Sequence, residues 1–456
     1  MKALTVVLCV FALGWPVSNV SAQKPDQAAG LPDLDAPIGD RRAPENAGPA
    51  LTLDEVERMA LARNPEIAVA VRRVVMAEAS VPAAGALDDP EFMYRGWGVP
   101  LSQPWNYNAA QNMFMFTQSL PGPGKRSLRT SVANSDVTEA KDELAATRLR
   151  VRVEVRKAFY NLLGAQDELH VHDEHVAIAR QAIEAARIRY TVGKVPQQDL
   201  LKAQLELTRL AEHMIRFDRD VEVARAQLNT LVGRDPATPL QVHGDYGVVA
   251  PLPSAASLEQ LALQSRPDLL EAEAAVEKSR RQQSLARKAY VPDFTASAGY
   301  MLMPSGTSPR NDYMVEGSMT LPWLNHRKHD ADIAEADSAV TEQEAELAAM
   351  RTAAFGQIQE SLAEAQAAQK FAALYQNSLR PQAEATLHAA VIAYENNETD
   401  FLNLLDSQMA VVDIQLAGIQ AMADFSTRMA DLELAAGTPI DPTQPASATS
   451  AQEGQQ

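Results

Sequence analysis

Two short segments of the sequence are rich in side chains that could bind a metal ion. The first contains three histidines and two carboxylates, at His170, His172, Asp173, Glu174 and His175. Imidazole and carboxylate groups bind zinc and related ions when at least three of them converge. On a helix, however, His172 lies beside His175 and His170 beside Glu174, so three ligands do not converge within one chain. We therefore predict a structural role, with His172 packed in a helix core.

The second segment holds His326, His329, Asp330 and Asp332, just beyond a predicted strand, and we interpret it as structural too. The sequence also lacks a phosphate-binding loop, a nucleophile elbow and an HExxH zinc motif. We therefore predict that the protein is not an enzyme and uses no cofactor or bound metal. Any energy that its function requires must come from a partner protein.

Carboxylates also gather where a long predicted helix ends and another begins, at Glu398, Asp400 and Asp406. If they faced the axis of an oligomer, each would be repeated around that axis, and rings of carboxylates form constrictions selective for cations. Two plainer interpretations stay open. The residues could be solvated charges at a helix end, and Asp400 could simply cap the second helix.

The first 22 residues have the features of a secretory signal peptide: Lys2, an apolar run over 3–15 and small residues over 20–22. The run is too short for the alternative, a transmembrane anchor. Cys9 is the only cysteine and lies inside the run. The mature protein is therefore expected to contain no disulfide and no lipid-anchored N-terminal cysteine.

The chain is acidic, with 59 Asp and Glu against 41 Lys and Arg and a formal net charge of −18. This balance argues against nucleic acid and against an anionic lipid surface as partners. After residue 22 no stretch approaches about 18 uninterrupted apolar residues, so no membrane-spanning helix is predicted. Segments 23–50 and 438–456 have the composition of a disordered leader and a disordered tail.

The sequence contains two related halves. Pro65 and Pro267 lie in similar segments 202 positions apart, and Tyr190 and Tyr394 lie in similar turns 204 positions apart. Landmarks in the same order with so little drift indicate duplication, and a unit of about 200 residues is too long for a solenoid repeat. The predicted boundaries are 51–247 for the first repeat, 248–256 for a linker and 257–437 for the second repeat.

Two long helices are predicted at 126–190 and 327–393. In the first, large apolar residues recur every seven positions from Val155 to Tyr190, mostly with alanine three positions later, which is a coiled-coil pattern. A helix of this length measures roughly 96 Å. Pro381 interrupts the second helix and should bend it, because proline lacks an N–H group. The bend could allow unwinding on opening, or it could be a static kink needed for packing.

Shorter return helices are predicted at 196–233 and 399–436, each after a turn. Additional helical patterns at 257–289 and 53–88 supply the missing length. The summed length of one return helix and one additional helix nearly matches that of a long helix. We therefore predict four helical columns of similar height, two formed by one continuous helix and two formed by two helices end to end. In this arrangement 257–289 extends the first return helix and 53–88 extends the second.

Four segments alternate apolar and polar residues, and each is nine to eleven residues long. They are 91–99, 112–120, 293–303 and 313–321. This length crosses a bilayer when the strand is tilted. Four strands alone would leave unpaired edges in lipid, so closure by three chains into a twelve-stranded barrel is the simplest arrangement. The alternative is a soluble four-stranded sheet beside a helical bundle.

From about residue 51 to 440 the sequence resembles the TolC-type outer membrane efflux proteins. The similarity lies in an Ala-Leu-x-x-Asn-Pro-Glu-Ile motif within Val56–Ile67, a Leu-Pro-Gly-Pro-Gly-Lys-Arg strand exit within Gln118–Arg126, and the paired turns after Tyr190 and Tyr394. The strand exit is most similar to the heavy-metal efflux branch typified by CzcC and CusC. The resemblance implies an α+β membrane protein: a long antiparallel coiled-coil barrel in the periplasm, joined in a trimer to a twelve-stranded β-barrel in the outer membrane.

The resemblance also implies functional positions at the helix turns. Asp406 matches an aspartate ring that narrows the tunnel, Asn403 replaces a second such aspartate, and Glu398 and Asp400 add acidity. Thr399 stands where a basic residue often ties the tip shut. The residues implied to contact an adaptor protein are Val192, Gly193, Lys194, Asn396 and Asn397.

The implied function is a passive exit duct of a tripartite efflux pump, with heavy-metal cations as one possible substrate. Its implied partners are two further copies of the chain, a periplasmic adaptor protein, an inner-membrane transporter such as an RND pump, and outer membrane lipid. Two alternatives stay open from the sequence: an exit duct for type I protein secretion, and a periplasmic coiled-coil scaffold that never enters a membrane.

Overall fold

The computed structural model describes residues 50–99, 101–105, 110–193, 196–246, 251–303, 310–396 and 398–440. The predicted signal peptide, nearly all of the predicted leader and tail, and the site residues Lys194 and Asn397 lie outside these ranges. The helices within them are α1 (Leu53–Arg63), α2 (Pro65–Gly85), α3 (Lys125–Thr191), α4 (Gln197–Leu231), α5 (Ala255–Ser265), α6 (Pro267–Arg287), α7 (His326–Leu374), α8 (Arg380–Glu395) and α9 (Phe401–Ala436). The strands are β1 (Glu91–Trp97), β2 (Gln111–Leu120), β3 (Phe294–Met303) and β4 (Arg310–Met319).

Helix α3 runs unbroken for 67 residues, about 100 Å. It lies at the centre of a helical layer. On one side it packs against α1, α2 and α4, and on the other against α6 and α9, which in turn pack against α7. The layer therefore has four columns, with α2 and α4 at one edge and α7 and α8 at the other.

Breaks at Asn64 and Arg266 divide the helical patterns that the sequence shows at 53–88 and 257–289. Both residues precede a proline, which disfavours helical geometry at the residue before it. Both have extended backbone geometry, with ψ of 127° at Asn64 and 113° at Arg266. The Asn64 side chain then caps α2, since its Oδ1 accepts from the N–H of Glu66 at 2.8 Å.

The same two residues join the columns end to end. Asn64 Nδ2 donates to the carbonyl of Leu231, the last residue of α4, at 2.9 Å. Arg266 Nη1 donates to the carbonyl of Ala435, near the end of α9, at 3.2 Å. Helix α4 therefore continues into α2, and α9 into α6. The predicted pairing, in which 257–289 extends the first return helix and 53–88 the second, was wrong. The two additional helical segments have nearly the same length, so length alone cannot decide which return helix each one extends.

Glycines make these joints possible. Gly233 and Gly437 follow α4 and α9 with φ of 72° and 81°. A Cβ at Gly437 would lie 2.4 Å from the Cα of Arg266, and one at Gly233 would lie 2.8 Å from the carbonyl oxygen of Arg63. Only glycine combines this backbone geometry with so close a contact.

The second long helix has an irregular turn just before Pro381, the residue predicted to interrupt it. A π-helical turn at Tyr375–Leu379 separates α7 from α8, and the N–H of Arg380 bonds to the carbonyl of Tyr375. Pro381 follows directly within the first turn of α8. Proline has no N–H and its ring crowds the carbonyl four residues earlier, so the wider π turn accommodates it.

The four strands form one antiparallel sheet in the order β1-β2-β3-β4. The central pair joins the two halves of the chain, with Phe114 opposite Tyr300 and Phe116 opposite Ala298. Strands β1 and β4 are the edges. In the described part of the chain no further strand pairs with either of them.

A buried ion cluster also joins the halves at the level of the joints. The Arg156 guanidinium on α3 contacts the carboxylates of Glu57 on α1 and Glu433 on α9. The two glutamate side chains are only 10% and 7% exposed. Burial raises the pKa of Glu433, and the charge of Arg156 opposes that shift. Apolar residues of α1, α3 and α4, including Val56, pack into one core beside this cluster.

Candidate functional site at the helix turns

The two helix turns lie side by side. Ala186 of α3, Ala203 of α4 and Phe401 of α9 are buried in one small cluster, with Tyr394 of α8 packed against it. The first and second hairpins therefore share a core at their tips. At the first turn Gly193 has a φ of 71°, with open space where a Cβ would be, and Val192 is 63% exposed. This end of the molecule presents a surface that the described residues leave uncovered.

Asp400 caps α9. Its Oδ1 accepts from the backbone N–H of Asn403 at 2.9 Å, and Asn403 Nδ2 donates to Thr399 Oγ1 at 3.0 Å. The structure thus gives Asp400 the capping role that the sequence left open. Glu398 is exposed beside this cap, and its N–H bonds to the carbonyl of Ala393 at 2.8 Å.

Asp406 lies on an exposed face of α9, on the same side of the helix as Asn403. Ala410 and Asp413 continue this face away from the tip at spacings of three and four residues. Within the described ranges, no side chain forms an ion pair with Asp406. The structure therefore leaves its carboxylate available to solvent or to a passing ion.

At the opposite end of the long columns, the sheet exposes a large apolar face. On this face the ring centroid of Phe92 lies 5.0 Å from that of Phe116 and 6.4 Å from that of Phe114. The Phe114 ring lies 5.2 Å from the Tyr94 ring. Farther along the same face, Tyr313 and Val315 of β4 are 86% and 79% exposed. An apolar surface of this extent marks a site of contact with lipid or protein.

A search of the described helices finds none that is both long and apolar enough to span a bilayer.

Comparison with known proteins identifies the fold and the family. The sequence profile of the outer membrane efflux protein family matches residues 56–234 and again 258–438. The chain belongs to this family. As a TolC-type outer membrane efflux protein, it is 23% identical over 377 residues to the cobalt-zinc-cadmium resistance protein CzcC of Cupriavidus metallidurans, covering 82% of this chain and 86% of CzcC.

Solved channels of low sequence identity have the same fold. The structure of CusC superposes with a TM-score of 0.71 at 17% identity, covering 85% of this chain and 92% of CusC. The CmeC outer membrane channel of Campylobacter jejuni superposes with a TM-score of 0.68, also at 17% identity, covering 87% of each chain. The family is one of outer membrane efflux proteins.

The tip of this efflux protein also contains a contact that the sequence did not reveal. The guanidinium carbon of Arg189 on α3 lies 4.2 Å from the ring centroid of Tyr394 on α8, within range of a cation–π interaction. The pair links the first hairpin to the second. Tyr394 was recognisable as a turn residue, but nothing in the spacing indicates a partner 205 positions earlier.

One histidine of the efflux protein, His172, is a packed core residue, as the sequence predicted. His170 is exposed and contacts Glu174, whereas His172 is fully buried on the side of α4. His329 contacts Asp332 at 3.8 Å. No group of three or more metal-binding side chains is found within the described ranges.

Proposed function

We propose that the protein is the outer membrane exit duct of an efflux pump, formed by three copies of this chain. The observation that carries the proposal is the sheet, which within the described residues has four strands, an exposed aromatic face and two unpaired edges. Strands β1 and β4 of neighbouring copies can pair and give a closed barrel of twelve strands. Closure would satisfy the edge hydrogen bonds and place the aromatic face in lipid.

The helical layer supports the same assembly, because both of its edges are unpartnered within the described chain. At one edge α2 exposes Val69 and Met76, at 55% and 69%. At the other edge α7 exposes small residues, among them Ala345, Ala349 and Gly356. Helix α7 also exposes larger apolar side chains, among them Met350 at 47% and Phe371 at 58%, so both edges offer apolar surface for packing between copies. Three layers joined in this way would enclose a tunnel.

The proposed domain organisation follows the two halves, 51–247 and 257–437, joined by a linker at 248–256. Each half contributes two strands to the barrel and one hairpin to the tunnel.

The hairpin tips, with Val192, Gly193 and Asn396 at their ends, are the proposed docking surface for a periplasmic adaptor protein. An inner-membrane transporter would supply the energy, since the duct conducts passively.

Heavy-metal cations are the proposed substrates. The similarity to CzcC along most of both chains supports this class, and the acidic balance of the protein suits a cation path. A type I secretion duct would share the architecture and differ in its cargo. The periplasmic scaffold is disfavoured by the family match and by the bare aromatic face of the sheet.

Deleting the gene should make the host more sensitive to cobalt, zinc and cadmium, because the metal pump would lose its exit. Minimal inhibitory concentrations of these metals, several antibiotics and detergents would be compared in the deletion strain and in a strain complemented with the gene. Sensitivity to antibiotics alone would contradict the metal assignment while leaving the duct intact. A deletion strain with unchanged sensitivity to all of these compounds but reduced protein secretion would favour the secretion duct.

Asp406→Asn should weaken cation block of the reconstituted channel. If Asp406 faces the tunnel axis, a trimer places three carboxylates in one narrow ring, and the substitution removes all three charges. We expect the affinity for a blocking divalent or trivalent cation to fall by about tenfold, on the order of 1.4 kcal/mol. Single-channel recording in planar bilayers measures both block and ion selectivity.

Asp413→Asn is the matched control for this experiment, since it lies on the same exposed face of α9 but farther from the tip. Its effect should be smaller. Equal block and selectivity in the Asp406 variant and the parent would place Asp406 on the outer surface of the tunnel.

A further inference from the structure

Three histidines lie where α3 packs against its neighbours in the lower part of the first hairpin, about 29 Å from the tip. His172 points toward α4 and has 0% exposure. Its ring centroid is 5.9 Å from that of His213 and 5.2 Å from that of Phe217, both on α4. On the opposite side of α3, His175 Nε2 lies 3.4 Å from Gln415 Oε1 on α9.

The hydrogen bond of His172 fixes the tautomer of its neutral ring. Nε2 lies 2.7 Å from the carbonyl oxygen of Leu210. A carbonyl can only accept, so Nε2 carries the proton of a neutral ring. Nδ1 is buried, and within the described residues it has no hydrogen-bond partner. A second proton would thus place a positive charge and an unpaired N–H inside the α3–α4 contact.

The surrounding charges mostly oppose that second proton. Burial lowers the pKa of His172, and His213 and His175 lower it further, whereas the bond to Leu210 and the carboxylate of Asp173 partly compensate. Burial also lowers the pKa of His175.

The other charged groups of this region are engaged beside the histidines. On α4, Glu206 pairs with Arg209, and Glu212 lies between Arg216 and His213. The hydrogen bond to Gln415 and the charges of Glu174 and Asp413 partly oppose the lowering of the His175 pKa by burial.

We propose that His172, packed against His213 and Phe217 of α4, is a pH-sensitive latch, which holds α3 against α4 at neutral pH and releases the first hairpin in mildly acidic surroundings. The direction of the pH dependence follows from the linkage between proton binding and folding stability. A histidine whose pKa is lower when folded contributes full stability above its ordinary value of about 6.5, and this contribution is lost as the pH falls below that value. The second hairpin has no such latch, since Ala417 stands 204 positions after His213 and His388 is exposed.

Hydrogen–deuterium exchange of the full-length protein in detergent tests the latch. Amides of α3 and α4 around His172 and His213 would be followed at pH 7.5 and pH 5.5, after correction for the intrinsic pH dependence of exchange. One pH unit below the ordinary histidine value, the opening equilibrium should increase by up to about tenfold. Residues 340–374 of α7, which contain no histidine, serve as an internal control and should not change.

Two substitutions separate the latch from a general effect of acid. His172→Gln keeps a donor for Leu210 but cannot be protonated, so it should abolish the pH response of the first hairpin. His170→Gln removes an exposed histidine two residues away and should preserve it. The proposal is overturned if the parent hairpin exchanges alike at both pH values, or if the response survives in His172→Gln. Exchange reports on the hairpin alone, so a failed latch leaves the duct assignment untouched.

Discussion

Arg156→Met should destabilise the folded protein by about 3–5 kcal/mol, because it leaves two buried carboxylates without their shared cation. Glu433 would lose its ion-pair partner, whereas Glu57 would keep only the longer contact of its carboxylate with Arg152 Nε at 3.3 Å. Burial already raises the pKa of Glu433, so a glutamate there is easier to bury when protonated. A raised folded pKa means that stability is lost as the pH rises, and the defect should therefore be larger at pH 8 than at pH 5.

Denaturant unfolding of the detergent-solubilised protein, followed by circular dichroism, measures this effect. Arg150→Met is the matched control on the same helix. Arg150 pairs with Glu66 through half-exposed side chains, and its loss should cost at most about 1 kcal/mol. Combining Arg156→Met with Glu57→Gln and Glu433→Gln should recover most of the loss. If Arg156→Met were no more harmful than Arg150→Met, the buried cluster would not stabilise the contact between the halves.

Val315→Arg should prevent assembly in the outer membrane. Val315 is 79% exposed on the apolar face of the edge strand β4, and an arginine facing lipid near the bilayer centre costs about 2–4 kcal/mol in each chain. Outer membranes would be separated from soluble periplasm, and the mass of the detergent-extracted protein would be measured. The parent should have the mass of three chains, and the variant should be absent from the membrane or degraded.

Glu316→Arg provides the control, since neighbouring residues of a strand point to opposite faces. Glu316 lies opposite Ser297 on the more polar face, which would line the interior of the barrel. This variant should assemble normally. Normal trimers of Val315→Arg, or a stable parent monomer with intact strands, would contradict the barrel.

Local patterns in the sequence predict the elements of this fold well. Helix α3 begins and ends within one residue of the prediction, because a proline-free coiled-coil pattern is bounded by Gly124 and Gly193. The strands agree to within about three residues, since their alternation and their flanking loops are both clear. The breaks at Asn64 and Arg266 were also readable in principle, because each precedes a proline.

Contacts between distant segments could not be predicted in the same way. The pairing of columns depended on two nearly equal sums of length, and the structure decides it through the bonds of Asn64 and Arg266. The π turn before Pro381 has no sequence signature beyond the proline itself. Arg189 with Tyr394 and Arg156 with Glu433 are pairs of ordinary surface-type residues, and only the packing of α3 brings each pair together.

The sheet order has a consequence for how the duplicated chain holds together. Strand β2 of the first half pairs with β3 of the second, and α3 packs against both α6 and α9. The covalent link between the halves, proposed at 248–256, is therefore one connection among many. A chain cleaved there would remain a single folded unit, and two separately synthesised halves would carry the contacts needed to find each other. Similar as they are, neither half is an independent domain.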